Sequence, residues 1–572
     1  MNYVKKIKYI GLVWCGFTFC SLAVAEIIWQ DNFDSANLDD WTVVDFVPNQ
    51  KSDWHIYDGY LVHTSNIGGK KRLGSQIVAG NPEWRDYTVR SELVSTDDDY
   101  LGILFRYRDQ NNYYRFFLSG QNGQIFLEKR LDGKVKRLGF IKEPLDYCKM
   151  TMTAAVHRDT LRVYLNDRKY FTVIDSSHPT GKVGLMTCYD EGAYFDNIVV
   201  SEFHEPPMQV SAPQLDFWCG PYLQNVLGDS ATIMWQTTLP ANSIVEYGLR
   251  KRSAERIEVP GSRKVHEICL RNLKKNARYF YRVRSDSVQS DWCSLRTYDP
   301  NRKKLRFALY SDSQNNFLVH RKIAAAIEKH NPEFIVHAGD LAHGGRRADW
   351  ATEFFHPAGE LLSKVPVYVA RGNHAYGSPH FAKYFSFPDK RHETYYSIQV
   401  GNAYFIFLDN AKADFPDKNY YLDVDEDSPQ YQWLVQQLSS ATAQRAEWLF
   451  VVAHVPCYSE FAGEKLAGNI NEKKYVPLYR RYQVDAVFSG HIHAYERGES
   501  EGVHYVICGG AGGTLDQKRE RDIPEIEVSQ AGHHYCIVEI DGACLSFKKY
   551  GINGRLRDSF EIEKGELQNK KK

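Results

Sequence analysis

Apolar and polar residues alternate in short runs over about the first third of the chain. Examples are Tyr87–Val94 and Leu161–Leu165, and turn dipeptides such as Asn122-Gly123 and Asp132-Gly133 separate runs of this kind. Alternation at period two is typical of strands that are buried on one face, and closely spaced turns are typical of antiparallel sheets. The pattern therefore predicts an all-β sandwich over residues 26–204.

The pattern changes twice further along the chain. Residues 204–213 contain three prolines and no apolar periodicity, which indicates a linker. Residues 215–299 again contain short strand patterns and predict a second, smaller β-sandwich. Residues 305–560 alternate apolar runs with helical patterns such as Val319–His330 and Gln430–Leu438, which predicts an α/β layered domain.

The first 25 residues have the pattern of a signal peptide. Three lysines precede the apolar stretch Tyr9–Leu22, and Ala23-Val24-Ala25 matches the small-x-small cleavage pattern. The apolar stretch is shorter than the roughly 20 residues of a membrane-spanning helix, although an uncleaved anchor is the alternative interpretation. We therefore expect a secreted or periplasmic protein, cleaved before Glu26, with no later transmembrane segment.

Composition excludes several classes of protein. The 572 residues contain 71 basic and 71 acidic side chains, and 14% are aromatic. A balanced charge argues against a generally basic nucleic-acid binder, so no nucleic-acid binding is expected. Abundant aromatic residues argue against a disordered chain. Cysteine spacing resembles no zinc motif, and either the pairs Cys148–Cys188 and Cys269–Cys293 or buried free thiols fit it.

Five apolar strands in the third region each run into polar residues that can bind metal ions. The strands are Leu305–Tyr310, Phe334–Ala338, Val365–Val369, Trp448–Val452 and Asp485–Phe488. The polar residues that follow them are Asp312, Asp340, Asn373, His374, His454, His491 and His493. Because ligands of open α/β sheets bind beyond the carboxyl ends of the strands, we expect these side chains to converge.

The donor types favour a centre with two metal ions. Carboxylate, amide and imidazole groups suit Fe, Zn or Mn rather than a thiolate-selective metal. Two such ions, about 3.5–4 Å apart, need a bridging carboxylate and several ligands each. Glycine precedes Asp340, Asn373 and His491, which allows tight backbone turns there. Each short motif alone is common in turns, whereas the ordered set is specific.

The third region resembles the calcineurin-like metallophosphoesterases. Gly490-His-Ile-His-Ala-Tyr-Glu-Arg497 matches the extended motif of the purple acid phosphatases within that group. Gly220-Pro-Tyr-Leu-Gln224, followed by the strand Ser230–Trp235, resembles their fibronectin-III-like N-terminal domain. The first region resembles laminin-G/concanavalin-like jelly-roll modules in Asp31–Asp34, Gly181–Leu185 and Phe195–Val200. That last resemblance implies glycan contact or a spacer role.

The resemblance to the phosphatases implies a role for each site residue. Asp312 and His493 would bind the first metal, Asp340 would bridge both metals, and Asn373, His454 and His491 would bind the second. The resemblance also implies a metal-activated hydroxide as nucleophile, with no covalent Ser or Cys intermediate. His374 would be catalytic, either protonating the leaving group or stabilising charge on the phosphoryl oxygens.

Three departures from the family pattern affect these expectations. Purple acid phosphatases have a tyrosine three residues after the bridging aspartate, where this chain has His343, and other family members have a histidine where this chain has Gln314. His343 is then either a nitrogen ligand or a hydrogen-bonding group beside the ligands. No tyrosinate-to-iron absorption is expected. Ala375 replaces an acidic residue, and no histidine occurs in residues 455–464, where the family commonly has one that touches substrate.

Together these patterns predict a secreted, binuclear, metal-dependent phosphoesterase that hydrolyses phosphate esters like an acid phosphatase. The lack of a histidine after His454 leaves open a phosphodiesterase or nucleotide hydrolase acting on phosphorylated envelope glycans. A glycan-binding protein with a vestigial phosphatase domain is a third interpretation. The glycine-rich stretch Cys508–Thr514 lacks the Lys-Ser/Thr of a P-loop, so we interpret it as a tight turn near the metals.

Overall fold

The computed structural model describes residues 25–35, 37–145, 149–206, 214–375, 378–388, 392, 394–410, 412–414, 419–421, 426–461 and 468–564. The predicted signal peptide, apart from residue 25, lies outside the described residues, as do Cys148 and linker residues 207–213. Within the described part of the chain, no helix is both long enough and apolar enough to cross a bilayer.

The N-terminal region is an antiparallel two-sheet structure, as its alternating pattern predicts. Its strands are β1 (Ile27–Asp31), β2 (Thr42–Asp45), β3 (Trp54–Tyr57), β4 (Tyr60–His63), β5 (Ser75–Ala79), β6 (Tyr87–Ser95), β7 (Tyr100–Asp109), β8 (Asn112–Ser119), β9 (Gln124–Leu131), β10 (Lys134–Lys142), β11 (Met150–His157), β12 (Thr160–Leu165), β13 (Arg168–Ile174), β14 (Lys182–Cys188) and β15 (Ala193–Glu202). One sheet has the order β13-β12-β11-β6-β15-β4-β3 with β1 also on β15, and the other has the order β10-β9-β8-β7-β14-β5-β2. The jelly-roll assignment stays a prediction.

One six-stranded antiparallel sheet forms the second region, where the sequence predicts a smaller β-sandwich, and the fibronectin-III-like assignment stays a prediction. Its strands are β16 (Phe217–Gln224), β17 (Ala231–Gly248), β18 (Glu255–Leu270), β19 (Arg278–Ser285), β20 (Val288–Gln289) and β21 (Cys293–Arg296). The long strand β17 pairs with β16, β18 and β19, so it forms the centre of this sheet. Cys269 and Cys293 are free thiols, and they donate to the carbonyls of Leu270 and Asp291.

The third region contains two mixed sheets and the helices. Its strands are β22 (Lys304–Tyr310), β23 (Phe334–His337), β24 (Val367–Val369), β25 (Tyr396–Val400), β26 (Ala403–Leu408), β27 (Lys412–Asp414), β28 (Asn419–Tyr421), β29 (Trp448–Ala453), β30 (Ala486–Ser489), β31 (Ala494–Ser500), β32 (Val503–Cys508), β33 (Ile526–Ala531), β34 (His534–Asp541), β35 (Cys544–Gly551) and β36 (Leu556–Glu563). Its helices are α1 (Phe317–Glu328), α2 (Arg347–Asp349), α3 (Gly359–Leu362), α4 (Phe381–Tyr384), α5 (Pro429–Ser439), α6 (Ala441–Arg445) and α7 (Gly468–Arg481). Both predicted helical segments are confirmed as α1 and α5.

The parallel cores of these two sheets direct the strand ends toward one site. One sheet has the order β24-β23-β22-β34-β35-β36, and the other has the order β25-β26-β29-β30-β32-β31-β33. Strands β22–β24 run parallel, as do β26, β29, β30 and β32. Strands β23, β24, β26, β29 and β30 are buried throughout, as expected for parallel strands covered on both faces.

The second region packs directly against the α/β region, and both contribute to one hydrophobic core. The Tyr222 hydroxyl donates to the Tyr384 carbonyl at 2.8 Å, and the Tyr281 hydroxyl donates to the Ser363 carbonyl at 2.7 Å. Buried tyrosines satisfy their hydroxyl groups in this way while their rings pack in the core. The second region is therefore an integral support of the third.

The N-terminal region contacts the α/β region at the start of α1. The Phe317 ring packs edge-on against Tyr194, with ring centroids 4.6 Å apart, and against Tyr60 at 5.9 Å. Arg321 forms an ion pair with Asp58. The Tyr194 hydroxyl donates to the carbonyl of Asn315 at 3.4 Å, so the N-terminal region contacts the loop that immediately follows Asp312.

Candidate metal centre

The structure brings the predicted metal-binding side chains together at the ends of the five predicted strands. Asp312 follows β22, Asp340 follows β23, Asn373 and His374 lie in a short 3-10 turn after β24, His454 follows β29, and His491 and His493 lie between β30 and β31. Asp312, Asp340 and His454 are at most 1% exposed. The expected convergence of these side chains is therefore a feature of the fold.

His454 is at the centre of the first half of this cluster. Its Nε2 atom lies 3.0 Å from Oδ2 of Asp340 and 3.0 Å from Oδ1 of Asn373. Nδ1 of His491 lies 3.0 Å from the same Asn373 oxygen. The His454 ring is oriented from behind, because its Nδ1 donates to the Ala338 carbonyl at 2.8 Å. A backbone acceptor of this kind fixes the tautomer of a metal-binding histidine.

Asp312 and His493 form the other half. Nε2 of His493 lies 3.5 Å from Oδ1 of Asp312, and the His491 amide donates to both Asp312 carboxylate oxygens at 3.0 and 3.1 Å. Gln314 also lies here, with its Nε2 atom 3.3 Å from Nε2 of His493. The Gln314 carbonyl oxygen is buried and has no hydrogen-bond partner among the described residues. This oxygen is therefore available as a metal ligand.

The backbone at the cluster is strained, and neighbouring glycines allow the strain. Asp312, Asp340 and His491 have φ angles of 57°, 51° and 70°. Such left-handed conformations are uncommon outside glycine and cluster at functional sites. A Cβ atom on Gly372 would lie 2.1 Å from Oδ1 of Asp340, and one on Gly490 would lie 2.5 Å from Oδ2 of Asp312. Glycine is thus required where the backbone passes the carboxylates.

Charge is unevenly distributed among the histidines in the metal-free state. Burial alone would lower the pKa of His454, but the Asp340 carboxylate raises it to about 9. Burial also opposes protonation of His493, yet its contact with Asp312 raises the pKa to about 9. Burial and the neighbouring His454 lower the pKa of His491 to about 3. Burial acts to raise the pKa of Asp340, but His454 and His374 hold it below its ordinary value.

These residues fit two metal ions. Oxygen and nitrogen donors from two carboxylates, one amide and three imidazoles converge in a buried position, and candidate ligand atoms of Asp340, His454 and His491 all lie within 4.8 Å of one another. In the metal-free state the protons of His454 and His493 neutralise the two aspartates, which is the charge that metal cations would supply. The orphaned Gln314 oxygen adds one further hard donor.

His374 lies at the edge of the cluster with its side chain 28% exposed. Its Nδ1 donates to the His343 carbonyl at 2.7 Å, and its Nε2 lies 3.9 Å from Oδ2 of Asp340. The His343 ring packs on the His374 ring with centroids 4.6 Å apart, and the His343 amide donates to Glu353 at 2.6 Å. No hydrogen bond or ion pair joins the His343 ring to Asp312 or Asp340 within the described residues. Its role as a ligand stays a prediction.

Sequence reasoning missed the residues that hold His493. Its Nδ1 donates to the Thr514 carbonyl at 2.6 Å, and its amide donates to Asp516 at 2.8 Å. Thr514 ends the glycine-rich stretch Cys508–Thr514, and Asp516 follows it. The stretch packs against the cluster, because a Cβ atom on Gly513 would lie 2.5 Å from the His493 ring. The run of glycines was the available signal, since glycine permits a close approach of two segments.

The remaining motif residues brace the site. Glu496 is fully buried and accepts hydrogen bonds from the Ser459 hydroxyl at 2.6 Å and the Glu460 amide at 2.8 Å. Arg497 pairs with Asp558 at 2.6 Å. The motif therefore ties the loop after His454 to β31. Ala375, which replaces the acidic residue of the family, is 3% exposed.

Two regions of the chain match known protein families. The calcineurin-like phosphoesterase family matches residues 305–495, and the purple acid phosphatase N-terminal domain matches residues 221–297. Purple acid phosphatase 21 of Arabidopsis thaliana is 27% identical over 250 residues, which are 41% of this chain and 54% of that protein. The Fe(3+)-Zn(2+) purple acid phosphatase 12 of the same plant is 24% identical over 340 residues, which are 52% of this chain and 67% of that protein. The match thus spans about half the length of the first relative.

The fold of a solved purple acid phosphatase is similar as well. The yellow lupin (Lupinus luteus) enzyme PPD1 aligns with 86% of this chain and 93% of its own at a TM-score of 0.55 and 15% sequence identity. At this identity the likeness concerns the fold. The chain therefore carries a calcineurin-like phosphoesterase domain preceded by a purple acid phosphatase N-terminal domain, and its relatives are purple acid phosphatases.

Proposed function

We propose that this chain is a binuclear metal-dependent phosphoesterase that hydrolyses phosphate esters. The observation that carries the proposal is the convergence of two carboxylates, one amide oxygen and three imidazoles from five strand ends. In this proposal, residues 305–560 form the catalytic domain, and residues 215–299 form the purple acid phosphatase N-terminal domain. Residues 26–204 form a jelly-roll module that either contacts glycans or serves as a spacer.

Six side chains would hold the two metal ions. Asp312 and His493 would hold the first ion, Asp340 would bridge both, and Asn373, His454 and His491 would hold the second. The bound ions would supply Lewis acidity and lower the pKa of coordinated water. The chain's own contribution is to fix the ligands: the Ala338 carbonyl orients His454 and the Thr514 carbonyl orients His493. A preorganised ligand set of this kind avoids reorganisation during the reaction.

His374 is the proposed proton donor. Because a carbonyl oxygen can only accept, Nδ1 of His374 must donate to His343, which leaves Nε2 to face the reacting phosphate. In the doubly protonated imidazolium form, the proton on Nε2 can pass to the leaving-group oxygen or stabilise charge on the phosphoryl oxygens, and the ring keeps the proton on Nδ1. The side chain is partly exposed at the rim of the cluster, so substrate can approach it.

The proposed location is outside the cytoplasm. The basic start, the apolar stretch and the small-x-small sequence of residues 1–25 support export by a cleaved signal peptide into a secreted or periplasmic state. Glycan contact would then place the phosphatase beside phosphorylated glycans. The identity of the ester is the part of the proposal that experiment must supply.

Metal analysis together with two substrates tests the proposal. The purified protein should contain about two equivalents of Fe, Zn or Mn and should hydrolyse at least one of two substrates, a mono-aryl or a bis-aryl phosphate. The ratio of the two rates assigns the ester class. Asp340→Ala should lower the rate by about 10³-fold or more and reduce the metal content while the circular dichroism spectrum stays unchanged. Asp541→Ala, at an exposed carboxylate far along β34, is the matched control. Full activity in Asp340→Ala, or after chelation, would refute the metal mechanism.

A further inference from the structure

Two cysteines are in contact behind the candidate metal centre. The Sγ atoms of Cys508 and Cys536 are 3.3 Å apart, and both residues are fully buried. Cys508 ends β32 and Cys536 lies in β34, so the contact joins the two sheets of the α/β region. Neither thiol takes part in the proposed phosphoester chemistry.

A backbone hydrogen bond joins the two segments beside the cysteines. The His534 amide donates to the Gly510 carbonyl at 3.1 Å. Cys508 lies two residues before Gly510, and Cys536 lies two residues after His534, so this bond holds the two segments together beside the Sγ–Sγ contact.

We propose that Cys508 and Cys536 form a disulfide bond in the mature protein. The oxidant would be a small or protein-borne disulfide, R–S–S–R. Two S–H bonds of the cysteines and the S–S bond of the oxidant break, the Cys508–Cys536 S–S bond forms, and two R–SH molecules leave with the two protons and two electrons. Because both sulfur atoms are inaccessible in the folded chain, the exchange takes place as the two strands close during folding.

A soft metal ion is the competing occupant of this position. The donor atoms of Cys508, Cys536 and His534 all lie within 4.8 Å of one another, and Nε2 of His534 has no hydrogen-bond partner within the described part of the chain. Lys549 argues against a metal ion here. Its side chain is 4% exposed, and its Nζ donates to Gln530. Burial lowers the pKa of Lys549, and the hydrogen bond to Gln530 is the contact that favours its charged form. A buried ammonium disfavours a divalent cation beside it, whereas a disulfide is neutral.

The disulfide would restrain the backbone that presents Asp312. The Cys508 carbonyl accepts a hydrogen bond from the Ser311 amide at 3.0 Å and from the Ser311 hydroxyl at 3.2 Å. The same hydroxyl also lies 2.5 Å from Oδ2 of Asp312. A covalent link at Cys508 therefore holds the end of β32 against the segment that carries this carboxylate.

Peptide mapping of the full-length protein tests the proposal directly. Protein refolded with oxidised glutathione is alkylated in denaturant without reduction, digested and analysed by mass spectrometry. The expected result is a linked Cys508–Cys536 peptide pair, while the exposed Cys269 and Cys544 are alkylated. Alkylation of both Cys508 and Cys536 would overturn the proposal. So would a third equivalent of zinc or copper that is released on thiol alkylation, which would assign the position to a metal.

A stability measurement distinguishes the link from simple packing. The double variant Cys508→Ala/Cys536→Ala should unfold roughly 5–10 °C below the oxidised wild type. Most of this difference should disappear when the wild type is reduced. The double variant Cys269→Ser/Cys544→Ser is the control and should match the wild type under both conditions. An equal difference in the oxidised and reduced states would contradict the disulfide, and the peptide map decides the question if the alanine variant fails to fold.

Discussion

Nε2 of His454 lies 3.0 Å from Oδ2 of Asp340, and both side chains are buried. In the metal-free protein a proton on His454 neutralises the Asp340 carboxylate, and a metal ion bound between them would replace that proton. Proton and metal therefore compete for the same position, so metal affinity should rise as pH rises toward 9.

The stability of the metal-free protein should depend on the protonation of His454. Its folded-state pKa of about 9 lies above its ordinary value of 6.5, so the contribution to stability is fully present below pH 6.5 and is lost as pH rises through 9. This protonation should contribute on the order of 1–3 kcal/mol to the free energy of unfolding. The expected result is a gap in melting temperature between the chelated wild type and His454→Gln that narrows between pH 6.5 and 9. A gap that stays constant over this range would contradict the coupling.

Replacement of His374 by asparagine should slow the reaction without removing metal. Loss of a positioned proton donor lowers kcat by about 10²–10⁴-fold, and the loss should be smallest for aryl phosphates whose leaving groups need no proton. The measurement is a series of rates against leaving-group pKa, together with metal analysis. His55→Asn, at a 41% exposed histidine of β3, is the control and should leave every rate unchanged. A uniform loss across all leaving groups would rule out proton donation.

Gly513→Ala should disturb His493 selectively. The added Cβ would lie 2.5–2.7 Å from three atoms of the imidazole, which must then move away from Asp312. We expect loss of about one metal equivalent and a large fall in activity, measured by metal analysis and initial rates. Gly359→Ala is a matched control, because no atom lies within 4 Å of its added Cβ. Normal metal content in Gly513→Ala would contradict this prediction, because it would show that the glycine-rich stretch shifts to accommodate the added methyl group.

The strands and the ligand set could be predicted from the sequence because each is a local pattern. An uninterrupted apolar run that ends in Asp, Asn or His predicts a buried parallel strand together with a side chain at its carboxyl end. All five such strands are present, and Asp312, Asp340, His454 and His491 follow four of them within three residues. A strand that is buried on both faces has few polar residues along its length. The first polar residue after it therefore marks the end of the strand.

The supporting contacts could not be predicted in this way. Thr514 acts through its backbone carbonyl, which any residue could supply, so its side chain carries no signal. The Cys508–Cys536 contact joins residues of different sheets. It depends on how the two sheets pack, which local sequence patterns do not specify. The contact of Tyr194 with Phe317 depends on the relative placement of two regions, about which local patterns contain no information.

Iron loading distinguishes this site from a tyrosinate-ligated one. His343 occupies the position of the family's tyrosine, so the Fe-loaded wild type should lack strong visible absorption from tyrosinate-to-iron charge transfer. If His343 contacts the metal, His343→Tyr should gain such a band, measured by absorption and resonance Raman spectroscopy. Tyr482→Phe, at the residue directly after α7, is the control and should change neither spectrum. A tyrosinate band in the wild type would contradict the expected ligand set.

Phe317→Ala should weaken the contact between the N-terminal and α/β regions. The ring packs on Tyr194 and Tyr60, so its loss should destabilise the interface by about 1–3 kcal/mol. Calorimetry should then show the N-terminal region unfolding at a lower temperature than the rest of the chain. Ile174→Ala, at a side chain that is 80% exposed, is the control and should change stability by less than about 0.5 kcal/mol.

Because Tyr194 also donates to Asn315, three residues after Asp312, kcat/KM should fall a few-fold in Phe317→Ala. Unchanged calorimetry and unchanged kinetics would show that the N-terminal region does not support the site through this contact.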